Sequence, residues 1–300
     1  MALRGIALGQ ELGLAAADRD ALVALARERG YASAWTNARG TRDPFDACAR
    51  WTREGLTAGI SVVPLDAWDA AELARVASET AAAASGFVLG VGSGQTTRGA
   101  LALVRDRVAY LRRHAPGVPL YIGALGPRML RLAGEVADGA ALNWCDPERV
   151  AWSRAEVAAG ARGAGRDPEA VKVIEYIRVC VADDTDSART ALANAMLGYA
   201  LAGPRRPKDS GYRVHFTRMG FDGVLTELEA RREQGEETGA LAAEVPASLV
   251  AKVGAFGTAA EVARTFATLA AGLDLPIVRV VPAGEVVRSA RAAIEALAPR

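Results

Sequence analysis

Histidine and cysteine are the scarce residues of this 300-residue chain, at two and three copies. Cys48, Cys145 and Cys180 stand far apart, form no C-x-x-C pair and leave an odd count. That excludes a disulfide framework or a cysteine-type zinc site as the organising feature, and a reducing cytoplasm is the expected compartment. An H-E-x-x-H helix, a Ser/His/Asp order and a paired-carboxylate pattern are also missing. Surplus charge is absent: 36 Lys and Arg against 35 Asp and Glu leave a formal net charge of +1. Proteins built around nucleic acid or an anionic membrane favour a basic surplus, so neither partner is expected. No run approaches the roughly 18 uninterrupted apolar residues of a membrane helix. The opening Met1-Ala-Leu-Arg-Gly-Ile-Ala-Leu-Gly9 is too short in apolar run for a signal peptide.

What the chain does contain is alternation. Short apolar runs begin at Ile6, Ser33, Ala58, Phe87, Pro119, Ala140, Val171 and Pro276. Helical patterns separate them over 18–29, 46–53, 68–84, 99–113, 127–137 and 147–162, and one closes the chain over 285–297. Eight strand–helix units predict a (β/α)8 barrel, a single domain over 1–300. The runs are rich in Val, Ile and Leu without strict alternation, as parallel strands covered on both faces should be. The roughly 90 residues between strands seven and eight exceed one crossover and predict a lid-like insertion at about 197–255. Within it, 203–211 reads as loop and 225–237 as a charged surface helix. An open doubly wound sheet fits less well, because the first turn, Gly9-Gln-Glu-Leu-Gly13, is not G-x-G-x-x-G.

A barrel places its site at the C-terminal strand ends. Here these ends are poor in acids, bases and metal ligands, and rich in glycine, small hydroxyls and aromatics. Such a rim suits a flat organic cofactor held by backbone groups. Gly90-Val-Gly-Ser-Gly94 either brings backbone close to a ligand or is a mobile turn. Ala124-Leu-Gly-Pro-Arg128 opens a helix whose free N–H groups would seat a phosphate. His114 reads as a solvated helix-end residue. His215, in the insertion, either folds over the mouth or is a structural histidine, the latter favoured. Glu175 is either an interior acid or a strand-start residue, the latter favoured, and the basic stretch 204–208 either reaches an anionic ligand or is a solvated loop, again the latter favoured.

Several segments, in order, resemble one family. They are Gly30-Tyr-Ala-Ser-Ala-Trp-Thr36, Ile60-Ser-Val-Val-Pro64, Phe87-Val-Leu-Gly-Val-Gly-Ser-Gly94 and Pro119-Leu-Tyr-Ile-Gly-Ala-Leu-Gly-Pro-Arg-Met-Leu130. Leu132-Ala-Gly-Glu-Val-Ala-Asp-Gly139, Leu142-Asn-Trp144 and Tyr212-Arg-Val-His-Phe-Thr-Arg-Met-Gly-Phe221 complete the set. Together they resemble the bacterial luciferase-like superfamily of flavin- or coenzyme F420-dependent (β/α)8 oxidoreductases. The fourth and fifth segments look most like its deazaflavin-dependent branch, similar to methylene-tetrahydromethanopterin reductases.

The resemblance implies hydride transfer between the deazaflavin C5 and a small organic substrate, and a homodimer. It implies that Ser61-Val62 is a strand-three bulge with a non-proline cis peptide behind the cofactor ring. Ser93 and Gly94 match positions lining the cofactor, and Ala124, Leu125, Gly126 and Pro127 match the loop at its ring edge and phosphate chain. Trp35 matches the strand-two aromatic. Where the family often carries Asp-His or Glu after strand two, this chain has Asn37, which hydrogen-bonds but cannot act as acid or base. Asn37 and His215 are the catalytic candidates, with Asp43 and Glu11 ranked below them. FMN with oxygen, as in the monooxygenases of the same fold, is the alternative cofactor chemistry. A barrel that has lost catalysis is the alternative outside enzymes.

Overall fold

The computed structural model describes residues 3–83, 86–203 and 208–299. Residues 204–207 of the basic stretch, and the end of the helix expected over 68–84, lie outside them. Nine parallel strands form one sheet. They are β1 (Gly5–Ala7), β2 (Ser33–Thr36), β3 (Thr57–Pro64), β4 (Phe87–Gly92) and β5 (Leu120–Gly123). β6 (Gly139–Asn143), β7 (Lys172–Val181), β8 (Gly254–Gly257) and β9 (Leu275–Val280) follow. Pairing runs from β1 to β7 in sequence, then β7 to β9, and β9 back to β1. Eight strands therefore close the (β/α)8 barrel.

The helices between the strands are α1 (Ala16–Glu28), α2 (Asp43–Arg53), α3 (Ala70–Ala83), α4 (Ala100–His114), α5 (Pro127–Val136) and α6 (Pro147–Gly163). After β7 come α7 (Thr185–Ala200), α8 (Gly211–Thr217), α9 (Asp222–Glu233), α10 (Thr238–Glu244) and α11 (Ala247–Val253). α12 (Ala259–Leu269) and α13 (Val286–Ala296) complete the ring. The apolar stripe of each barrel helix joins the strands' outward faces in one large cluster that includes Phe45, Trp51, Leu89, Val104, Leu130 and Phe266.

The interior is filled by a smaller cluster of Ala7, Trp35, Ala141, Ile174, Tyr176 and Ile277. Trp35 is its largest member, and its Nε1 donates to Ser33 Oγ at 2.8 Å. Glycine makes its room: a Cβ on Gly59 would lie 2.3 Å from Trp35 Cζ3. Trp35 therefore plugs the barrel and is 1% exposed. The residue matched by resemblance to the strand-two aromatic thus has its ring inside the barrel, where the glycines of β1 and β3 make room for it.

The insertion expected at 197–255 is bounded differently. It starts inside α7 and ends inside β8, a ninth strand that the apolar-run reading passed over. β7 explains both. Its first half pairs with β6, Gly139↔Lys172 through Asn143↔Tyr176, and its second half with β8, Arg178↔Gly254 through Val181↔Gly257. β8 thus continues the edge that β6 abandons at Asn143. Beyond it, α7 to α11 bury their own core, with Trp144, Met196, Phe216, Phe221, Leu225 and Leu241. This lid sits over the C-terminal end of β6 and β7.

Candidate functional site

The mouth of the barrel is built from the last inward positions of each strand. On β3 the pairing with β4 shifts between Ile60 and Val63, and the Ser61–Val62 peptide is cis. The bulge turns Val62 across the mouth toward β4 and β5. There it meets glycines. A Cβ on Gly92 would lie 3.0 Å from Val62 Cγ2, and one on Gly123 3.1 Å from Val62 Cγ1. A Cβ on Gly90 would lie 2.5 Å from the Ile60 carbonyl oxygen. Val62 over these glycines forms an uncharged floor.

The floor leads to two loops. After β4, Ser93 is half-buried and Gly94 is exposed with φ +64°. The Asp66 carboxylate accepts from Gln95 N at 2.6 Å and leaves no space for a Cβ on Gly94. Glycine at 94 is thus required by backbone conformation and by Asp66. After β5, Ala124 N donates to Ala141 O, and Gly126 caps α5 without any side-chain acceptor. The first-turn N–H groups of α5 remain open beside Pro127, with the positive end of the helix dipole. A cleft of about 480 Å³ lies there, lined by Leu125, Gly126, Pro127, Arg128, His215 and Arg218 among others. Arg149 anchors the loop by donating to Leu125 O at 2.7 Å.

His215 does not present a proton to this cleft. Its Nε2 lies 2.8 Å from Trp144 O, a carbonyl that can only accept, so Nε2 carries the hydrogen. Burial lowers its pKa to about 4, despite the favourable contact with that carbonyl. Nδ1 is left buried and without a partner. His215 is therefore a neutral hook joining α8 of the lid to the end of β6. Trp144 is held there at φ +57°.

The opposite side of the mouth is polar. Asn37 is half-buried; its Oδ1 accepts from Gln10 N at 2.9 Å and its Nδ2 donates to Glu11 Oε2 at 3.2 Å. It fixes the loop after β1 and orients Glu11, the mouth's acid. Burial works against that carboxylate, but the Arg279 guanidinium beside it holds its pKa below the usual range. Glu11 and Arg279 form an ion pair. Arg279 also lies over the Tyr176 ring, 4.8 Å from its centroid, while Tyr176 Oη donates to Thr36 O at 2.8 Å. Arg178, beside Arg279 in register, donates to Asn143 Oδ1 and stacks 4.0 Å over Trp144. Asn143 Nδ2 donates in turn to the Tyr212 hydroxyl of the lid at 2.6 Å.

The structure brings Ser61, Val62, Ser93, Gly94, Ala124, Leu125, Gly126 and Pro127 to one side of the mouth, and Asn37 to the other. Asp43 is exposed at the start of α2. Glu175 is neither a strand-start residue nor a mouth acid. Alternation turns it away from Tyr176 and Arg178, and its carboxyl accepts from Cys145 N at 2.7 Å. Burial pushes its pKa up to about 8. Arg178 and Arg279 were not singled out from the sequence. Their signal was an arginine within each of these mainly apolar strands, two residues beyond an inward-facing Tyr176 or Ile277.

A sequence profile described as luciferase-like monooxygenase matches residues 96–274. A 5,10-methylenetetrahydromethanopterin reductase of Methanolobus tindarius is 42% identical over 90 residues, 30% of this chain and 27% of that protein. The match thus spans about a quarter of the relative's length. A solved coenzyme F420-dependent tetrahydromethanopterin reductase from Methanopyrus kandleri superposes with TM-score 0.79 at 16% identity, covering 99% of this chain and 98% of that one. An F420-dependent secondary alcohol dehydrogenase gives 0.73 at 15% identity, covering 99% of each. At those identities the superpositions establish the fold, and the profile match over more than half of the chain establishes kinship. This chain belongs to the luciferase-like monooxygenase family.

Proposed function

We propose that this protein is a coenzyme F420-dependent oxidoreductase acting on a small organic substrate. The observation that carries the reading is the glycine floor: Val62 packs where a Cβ at Gly92 or Gly123 would crowd it, so an apolar side chain over bare backbone lies there. A planar tricyclic ring fits that surface. Its phosphate-bearing tail fits the cleft at the uncapped start of α5, where Arg128 and Arg218 supply positive charge. The Methanolobus relative named as a methylenetetrahydromethanopterin reductase supports this branch.

When bound, the deazaflavin would supply a hydride donor or acceptor at one ring carbon. The chain's own residues do the rest. Val62 and the β4 and β5 glycines support one ring face. Leu125, Gly126 and Pro127 border its edge, and the α5 N–H groups hold the tail. The lid, hooked by His215 to Trp144 O, narrows the mouth and limits water. Glu11, kept ionised beside Arg279, is the carboxylate that faces the mouth, and Asn37 orients it. Asn37 and His215 are thus positioning residues in this reading. FMN would occupy the same floor, and the profile's monooxygenase description favours it as the second reading. The cytoplasmic location rests on the scattered, odd-numbered cysteines and the homodimer on the resemblance; size-exclusion chromatography tests the latter.

The test is a fluorescence titration of the folded protein with F420 and, separately, FMN. Micromolar or tighter F420 binding with FMN far weaker is the expected result. The reverse order moves the protein to the FMN chemistry, and binding of neither overturns both.

A further inference from the structure

We propose that Arg178 and Arg279 form a subsite for an oxyanion, a carboxylate or phosphate group borne by the substrate, on the side of the mouth opposite the glycine floor. The two residues are adjacent in the β7–β9 register and each is 5% exposed. Burying a guanidinium without a full set of acceptors is costly, so such groups are paired with acids or await an anion. Arg178 makes no ion pair among the described residues. Its partners are neutral and include the Asn143 amide oxygen, the Tyr176 carbonyl, the Tyr199 side chain and the face of Trp144. Arg279 has one acid, Glu11, and its Nη1 is buried with no acceptor. Among the described residues, this side of the mouth therefore sets two buried guanidiniums against one carboxylate.

Arginine rather than lysine suits this role. Its planar fork presents parallel N–H groups that match the two oxygens of a carboxylate or phosphate. The surroundings hold both forks in place. Tyr176 supports Arg279, and Trp144 and Tyr199 sandwich the approach to Arg178. A Cβ on Gly9 would overlap the Arg279 guanidinium, so the glycine of the β1 loop makes room for it. An anion here would take the Arg279 donor that has no acceptor and neutralise the unpaired charge. Across the mouth from the floor, it would fix one end of a substrate against the ring. This placement relative to a cofactor rests on the reading above; the anion site itself does not.

The test uses isothermal titration calorimetry of the full chain, free and F420-saturated, with succinate, inorganic phosphate and neutral succinamide as probes. The expected result is binding of at least one anion and not of succinamide. Affinity should fall at least tenfold in both Arg178→Gln and Arg279→Gln, with partial recovery in Arg178→Lys. Melting temperature and F420 affinity of each variant check that the barrel is intact. Absence of anion binding, or binding that persists in both Gln variants, overturns the proposal. Anion binding abolished by saturating F420 assigns the arginines to the cofactor and overturns the substrate subsite. Failure of F420 to bind while the anion still does removes the cofactor reading and leaves the subsite standing.

Discussion

The two sides of the barrel mouth solve different problems with different residues. On the β3–β5 side the chain removes side chains: Gly90, Gly92 and Gly123 stand opposite one valine, and the surface is defined by shape. On the β1, β7 and β9 side it adds long ones: Glu11, Asn37, Arg178, Arg279 and the rings beneath them define it by charge. A surface made by omission tolerates any flat ring of the right size. A surface made of buried cations discriminates by charge, because leaving them unpaired is the costlier state. On the reading proposed above, the contrast divides the roles: the floor would accept a flat ring, F420 or FMN alike, and the basic side would select the charge of the substrate.

The contrast can be broken most severely from below the floor. α5 carries the tail cleft and crosses α6 at two glycines. A Cβ on Gly134 would lie 2.0 Å from Val157 O, and one on Gly160 2.0 Å from Arg131 O. Gly134→Ala should destabilise the fold by about 3 kcal/mol in urea unfolding, since two backbones must separate. An unchanged midpoint would show that α5 is not seated by this crossing.

Behind the basic side, Glu175 tests burial without a counter-ion. Its folded pKa, about 8, lies above the ordinary carboxylate value, so the fold favours the protonated form. The stability from this group is complete at low pH and is lost as pH rises from about 4.5 to 8. Glu175→Gln keeps an acceptor for Cys145 N–H. It should be more stable than wild type by about 2 kcal/mol at pH 8.5, with no advantage near pH 5. Parallel pH profiles of the melting temperature would contradict this.

The lid hook has the opposite sign. With His215 lowered to about 4, its contribution is complete above the ordinary histidine pKa and is lost as pH falls from about 6.5 to 4. His215→Gln should flatten that acid limb by about 1 kcal/mol. A limb of unchanged slope would remove His215 from the account of lid attachment. A smaller effect sharpens the charge argument. Glu11→Gln frees Arg279 of its carboxylate and should tighten succinate binding about fivefold, the worth of one partly exposed pair. Weaker binding would mean that Glu11 organises the arginines instead of competing for them.

Much of this architecture was legible in the chain, because parallel strands covered on both faces write themselves as apolar runs. β8 was not, since Gly254-Ala-Phe-Gly257 is four residues long and half glycine. α7 was cut by the expected insertion boundary because no apolar run separates it from the lid. The floor loops were readable as glycine-rich strand ends, and the cis Ser61–Val62 bulge as a family motif. The place of the Trp35 ring was not legible, because only the packing against Gly5 and Gly59 shows that it turns into the barrel. The arginine pair was invisible to a search confined to strand ends. Its members lie within β7 and β9, and only the register sets them side by side.

The most direct measurement is F420 titration, followed by fluorescence, into wild type, Gly123→Leu and Arg178→Gln, each shown to be folded by circular dichroism. If the floor holds the cofactor and the arginines do not, Gly123→Leu weakens binding about a hundredfold and Arg178→Gln leaves it within about twofold. Loss of F420 affinity in Arg178→Gln with full retention in Gly123→Leu would contradict the division of the mouth.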